Sequence, residues 1–284
     1  MNPIIKKILI PVEFDEEHLS IVMQTAEIAK KHNAALHLIH VQKPNISNYI
    51  NQIFNYKKQN SIYSITKNKT NLIHTWRRWI EKEFGIEVKV SVDWGNWKKI
   101  VLEKAFSINA NLIALNHHQE KSWVNIFLPT RNNYIIDKSP CQVITFITEG
   151  NSISNWRNIV IPVTNFIPEN RINTIIEIVK YYNIKLHLIA FSTNTIVSHK
   201  SNFYYLTETL KLLKASGNIQ VECKCINPNS SNFKSILQYA KEVKADAIIT
   251  NKKLNISEQH QTTNSVKSFF EDDKKVHQQD LFPA

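Results

Sequence analysis

The chain has 284 residues, 43% of them hydrophobic, and its 35 Lys and Arg against 24 Asp and Glu give a formal net charge of +11. That is enough apolar material for two cores of ordinary domain size, and it excludes a disordered chain before the C-terminal tail; there is also no uninterrupted apolar run of about 18 residues that could span a membrane. The positive charge raises nucleic acid as a partner, yet the basic residues come as scattered pairs, Lys57-Lys58, Arg77-Arg78 and Lys98-Lys99, which argues against a continuous phosphate-tracking surface.

Met1 leads into a charged, strand-like segment instead of an apolar leader, so the expected location is cytoplasmic. The run Ile4 to Val12 reads as a first strand. Glu16 to His32 carries Leu19, Met23, Ala26, Ile28 and Ala29 at near-helical spacing behind Asp15, a side chain able to cap a helix start. Ala35 to Val41 is a second strand. The polar stretch Pro44 to Asn68, with Tyr49, Ile50, Ile53, Phe54 and Tyr56 interspersed, predicts a short amphipathic helix over a sheet edge or a partner. Asn71 to Phe84 is a helix ended by Gly85, Glu87 to Val92 a strand, and Trp97 to Ile108 a helix. Asn111 to Leu115 and Gln142 to Ile147 are strands either side of a helix at Thr130 to Lys138, which Ser139-Pro140 stops. Several of these strands are apolar at every position, as strands covered on both faces must be. Strand and helix in alternation predict a parallel sheet with right-handed crossovers.

The order then repeats. Lys7-Ile8-Leu9-Ile10-Pro11-Val12 returns as Asn158-Ile159-Val160-Ile161-Pro162-Val163. Leu36-His37-Leu38-Ile39 returns letter for letter as Leu186-His187-Leu188-Ile189, and Ala110-Asn111-Leu112-Ile113 as Ala245-Asp246-Ala247-Ile248. A period near 150 residues is too long for a solenoid unit. The expected division is therefore 1–150 and 151–284, hinged at Glu149-Gly150-Asn151-Ser152. The second half has strands near 158–163, 184–191, 218–225 and 245–250 and helices near 168–182, 201–216 and 231–243. From about residue 255 the chain becomes a hydrophilic tail, and the last strand of the second domain is degenerate.

The ordered set carries a resemblance. Ile8-Leu9-Ile10-Pro11-Val12-Glu13-Phe14-Asp15, Leu36-His37-Leu38-Ile39-His40-Val41, Gly95 with Val101 and Ala105, Ala110-Asn111-Leu112-Ile113, and Asp137-Lys138-Ser139-Pro140-Cys141-Gln142-Val143-Ile144 together resemble the universal stress protein family, here in a tandem form. The resemblance implies an α/β fold with two Rossmann-like domains of the adenine nucleotide alpha hydrolase-like kind, each a mostly parallel five-stranded sheet sandwiched by helices. It also implies that domains pair and that the protein acts in stress response.

One branch of that family binds ATP through an acidic residue after the first strand and a G-x-x-G-x9-G-[ST] loop after the fourth. Glycines there let backbone amides reach phosphate oxygens at a helix start. In this chain Asn116 and Gln119 stand at the first two glycine positions and Pro129-Thr130 at the end. Proline has no amide hydrogen to give. The second half offers Asn251, Leu254, Asn264 and Ser265, and the four glycines of the whole chain, 85, 95, 150 and 217, all lie elsewhere. Glu13 takes the acidic position in the first domain and Thr164 in the second. The resemblance places a degenerate nucleotide site at Glu13, Val41, Asn116, Gln119 and Thr130, with ATP the one cofactor left open and none expected. The expectation is a binding or scaffold protein and not an enzyme; a weakly hydrolytic ATP- or AMP-binding protein using the first domain is the alternative.

No metal site is expected, since His117-His118 lacks a third ligand at useful spacing. His37 and His187 recur at one strand position, which points to a packing or backbone-bonding role. Ser20, Ser139 and Cys141 have no base beside them for nucleophilic chemistry, and Cys141 should be buried. Cys223 and Cys225 should share one face of a strand as free thiols. Of Trp94 and Trp97, one ring is expected to pack. The apolar strand 142–147 without a matching partner in the second half predicts that the halves pack together and that two copies of the chain associate; a further protein partner is expected but not identified.

Overall fold

The computed structural model describes residues 5–42, 59–117, 131–147, 152–163, 169–179, 182–191, 202–226 and 232–250, all within one compact unit, Met1–Lys252. In the first half these residues form β1 (Lys7–Pro11), α1 (Glu16–His32), β2 (Ala35–Gln42), α2 (Gln59–Phe84), β3 (Val88–Trp94), α3 (Trp97–Ser107), β4 (Leu112–Asn116), α4 (Arg131–Lys138) and β5 (Gln142–Phe146). A single 3-10 turn at Ile153–Asn155 leads into the second half. There the order is β6 (Asn158–Val163), α5 (Glu169–Val179), β7 (Lys185–Phe191), α6 (Asn202–Ala215), β8 (Val221–Ile226), α7 (Asn232–Glu242) and β9 (Ala247–Thr250).

Local chemistry sets the boundaries. The Asp15 carboxylate accepts the His18 amide at the start of α1, and Asn33 ends that helix in the left-handed conformation with φ 52°, a role short amide side chains tolerate. Asn96 caps α3 by accepting from the amides of Lys98 and Lys99. Gly85, at φ 66°, closes α2 as expected. The described helix already includes Gln59, twelve residues before the expected Asn71. The second half of the Pro44 to Asn68 insertion is thus part of a longer helix, and residues 44–58 lie outside the described residues.

The nine strands among the described residues make one sheet in the order β3-β2-β1-β4-β5-β9-β6-β7-β8. Every neighbouring pair is parallel except β5 with β9, where Phe146 faces Ala247 and Val143 faces Thr250 in antiparallel register. The order reads the same outward from β5 in both directions: fourth, first, second and third strand of one half on one side, the equivalent four of the other half on the other. β5 is parallel to β4 on one edge and fills the edge of β9 where a fifth strand of the second half would pair. The apolar strand without a counterpart in the second half is therefore covered inside the chain, and the halves meet along it.

The two faces of the sheet are built differently. Side chains alternate between faces along a strand, so Ile8 and Ile10 join one core while Leu9 joins another. The first face carries one continuous core running from Leu36 and Leu38 through Ile144, Phe146 and Trp156 to Ile159, Leu186 and Leu188, closed by residues of α1, α2, α5 and α6. The opposite face carries two separate clusters. One gathers Leu9, Ile39, Val101, Ile113, Ile135 and Val143; the other gathers Val160, Ile189, Ile236, Tyr239 and Ile248.

Polar contacts stitch the halves across the shared core. The Trp156 indole Nε1 donates to Gln24 Oε1 at 2.7 Å, and its ring meets Phe146 edge-on at 5.5 Å. The Glu27 carboxylate accepts from Ser152 Oγ and from the Ile153 amide, each at 2.9 Å. Gln142 Nε2 donates to Thr174 Oγ1 at 2.7 Å.

Candidate functional site

Three of the five expected site positions come together at the carboxyl edge of the sheet. Pro11 pairs with Ile39, which puts Glu13 and Val41 level two residues further on. Leu9 pairs with Ile113, so Asn116 leaves β4 on the other side of β1. This is the switch point of the first half, where the chain order runs outward from β1 in both directions, the place where ligands bind in open α/β sheets. Glu13 and Asn116 are half-buried, as is Val41, which packs on the second core. Gln119 and Thr130 lie outside the described residues, as do Pro129, His118, Thr164 and the loop positions after β9.

The end of β4 is tied down by side-chain chemistry. Asn132, in the first turn of α4, donates its amide to the Asn116 carbonyl, and the His117 amide donates to the Phe146 carbonyl at 3.0 Å. A backbone carbonyl here is thus held by an asparagine at the helix start.

Above β1 and β2 sits an aromatic group that sequence reasoning missed. Phe14 holds φ 60°, a region a bulky residue enters only when its surroundings compel it. Its ring lies 4.7 Å from the His40 ring and 5.3 Å from Trp76. His40 is 4% exposed; its Nδ1 donates to the Val12 carbonyl at 2.8 Å, and its buried Nε2 has no hydrogen-bond partner among the described residues. Burial holds this imidazole below the usual histidine range, against the opposing pull of the Val12 bond. It is therefore neutral at pH 7, with its proton on Nδ1. The only sequence signal for the group was the aromatic Phe14 directly after Glu13.

The remaining residues take structural places. His37 Nε2 bonds Ser91 Oγ at 3.1 Å, and burial with the nearby Lys104 pushes its pKa down to about 4. His187 bonds Tyr239 Oη and Asn158 Oδ1, each at 3.1 Å. Of the packing or backbone-bonding role expected for the two, packing is what the structure shows: His187 is buried and His37 half-buried, and both bond side chains. Burial pushes the Cys141 thiol up to about 11, which leaves it protonated and unreactive. Cys223 and Cys225 are free thiols. Trp97 packs on the second core while Trp94 stays 52% exposed. Among the described residues no group of three His, Cys, Asp or Glu could hold a metal ion, and no helix is long and apolar enough to cross a membrane.

Two half-sheets of parallel α/β topology, with the same strand order in each, define a tandem Rossmann-like class. The profile of the Universal stress protein family matches residues 5–146, and the chain belongs to that family. A universal stress protein structure from Archaeoglobus fulgidus DSM 4304 is 16% identical, with 84% of each chain covered and a TM-score of 0.54, which shows the shared fold across both halves. A functionally unknown protein from Pseudomonas aeruginosa PAO1 is similar over 86% of this chain and 82% of its own, at 16% identity and a TM-score of 0.48. A universal stress protein from Lactobacillus plantarum covers 49% of this chain with 96% of its own, at 17% identity and a TM-score of 0.40. No curated protein sequence matches.

Proposed function

We propose that this chain is a cytoplasmic stress-response protein that works by binding or scaffolding, without efficient ATP binding and without catalysis. The observation that carries the reading is the absence of glycine from both loops that follow a fourth strand: the four glycines are at 85, 95, 150 and 217. Cradling a triphosphate calls for bare, donating main chain. Side chains at Asn116 and Gln119 and the ring of Pro129 supply bulk instead, and Pro129 has no N–H. Isothermal titration of the full chain with ATP and magnesium tests this directly. The expected result is no measurable heat of binding; micromolar affinity would overturn it.

A second reading keeps a nucleotide in the first half, held through side chains by Glu13, Val41, Asn116, Gln119 and Thr130 and turned over weakly or not at all. The meeting of Glu13, Val41 and Asn116 at the switch point favours it. Under this reading Glu13→Ala removes AMP binding, and an unchanged affinity in that variant counts against it. Both readings take 1–150 and 151–284 as the two repeated domains. Both also take the chain to associate as a homodimer, by a surface other than β5, whose two edges pair within the chain.

A further inference from the structure

The two ends of the sheet are not alike. At the first end α2, 26 residues long, packs on β3, and only Lys89 and Trp94 of that strand are exposed. At the other end the equivalent helix α6 has 14 residues. It covers β8 only in part: Val221 and Ile226 at the strand's ends are half-buried, while Glu222, Cys223, Lys224 and Cys225 between them are all exposed. Four consecutive exposed residues on a strand mean that both faces are open, and among the described residues no strand lies beyond it. Open edges with unspent N–H and C=O groups recruit another strand.

The main chain and the side chains of β8 agree on which strand fits. The Leu186 amide of β7 donates to the Gln220 carbonyl, and Leu186 faces Val221 in parallel register. In a parallel ladder such groups alternate in direction, so the even residues turn inward to β7 and Val221, Cys223 and Cys225 turn their backbone groups outward. A second β8 laid antiparallel about a twofold axis at Cys223 matches outward groups to outward groups. The same register sets Glu222 opposite Lys224 of the other copy, twice. A strand that is complementary to itself in this way closes a dimer without leaving a further free edge at the joint.

We propose that β8 is a homodimer interface, in which two chains pair their β8 strands antiparallel with Cys223 against Cys223 and Glu222 against Lys224. This rests on the homodimer reading above and assigns it a surface. Within each chain Glu222 also contacts Lys185 and the Lys224 ammonium lies 4.9 Å above the Tyr239 ring. Both charges are thus held on the α7 side of the sheet, away from the thiols.

The test uses the full chain in two backgrounds, C141S/C225S with Cys223 alone and C141S/C223S with Cys225 alone, a short bis-maleimide, and light scattering under reducing conditions. In this register two Cys225 residues stand roughly 14 Å apart, four residues along the strand. Cys223 should therefore cross-link into a dimer and Cys225 should do so poorly. K224E sets the Glu222 carboxylate of each copy against a second carboxylate and should lower the Cys223 yield about fivefold. K82E, the same charge change on α2, should leave it unchanged. Circular dichroism of K224E checks that the fold is kept. A dimer by light scattering with equal cross-linking through both cysteines, or with K224E and K82E alike, overturns the β8 interface and leaves the homodimer reading standing. A monomer by light scattering overturns both.

Discussion

Trp156 and Gln24 meet by a 2.7 Å hydrogen bond from the indole of one half to the amide carbonyl of the other, with 1% and 0% of their surfaces exposed. The bond lies within the core that runs unbroken beneath both halves. Trp156→Phe keeps most of the apolar volume but withdraws the donor from a buried carbonyl, which should cost about 1 to 3 kcal/mol. Trp156→Ala adds a cavity and should cost about 3 to 5 kcal/mol. Urea titrations followed by tryptophan fluorescence and by far-ultraviolet circular dichroism measure both. Because the core is shared, the two signals should fall together in one transition; separated transitions would mean that the halves melt independently.

The repeat extends to hydrogen bonds at the start of the central strands. Asn111 Oδ1 accepts from the amides of Lys6 and Lys7, each at 2.9 Å. Asp246 Oδ2 accepts from Arg157 and Asn158 at 2.7 and 3.0 Å. Asn111→Ala and Asp246→Ala should each cost about 1 to 2 kcal/mol, and Asp246→Asn should cost less because it keeps an acceptor at the same place. Chemical denaturation of the three variants is the check, and an Asp246→Asn as damaging as Asp246→Ala would deny that the two residues do the same work.

Much of this was legible in the sequence for a reason visible in these residues. β6 begins and ends where alternation and the repeat placed it, and α1 starts at the residue after its Asp15 cap, because those signals are local. The pairing of β5 with β9 was not legible. It depends on two strands about 100 residues apart finding an edge, and no local pattern encodes that choice. Phe14 was missed for a related reason: its left-handed backbone is set by what surrounds it, chiefly His40 and Trp76. The strand-end positions of Glu13, Val41 and Asn116 follow from local pattern, whereas the contacts of His37 and His187 needed partners on other elements.

His37 gives stability a direction with pH. Burial, reinforced by Lys104 and Lys89 and opposed by Asp93, lowers its folded pKa to about 4 from an ordinary 6.5. Between those values the unfolded chain binds the proton and the folded chain does not, so stability falls as pH drops from 6.5 to about 4 and levels off below. The shift would correspond to about 3 kcal/mol in a fully buried ring; solvent screening at this half-exposed one brings the expected loss to about 1 to 2 kcal/mol. His40 and His187 are shifted the same way by burial and add to the slope. His37→Gln should flatten the curve over that window while leaving the slope due to the other two. Denaturant midpoints taken across the range measure this, and a wild-type slope retained in full by the variant would exclude His37 as a cause.

The shared strand makes a prediction about the first half on its own. In the intact chain β5 is buried along its whole length and its outer edge pairs with Thr250, Ile249, Ile248 and Ala247. A fragment of residues 1–150 keeps β1 to β5, α1 to α4 and the whole of the Leu9 and Ile113 cluster, so it should retain strand and helix signals in circular dichroism. It loses β9 and also Trp156, which exposes the apolar β5 edge and the Phe146 ring together. An exposed apolar edge of that kind seeks another strand. The fragment should therefore associate through β5 at concentrations where β9 keeps the same edge closed in the full chain. Light scattering of the fragment over a dilution series reads this, and a folded fragment that stays monomeric throughout would show that the β5 edge needs no partner.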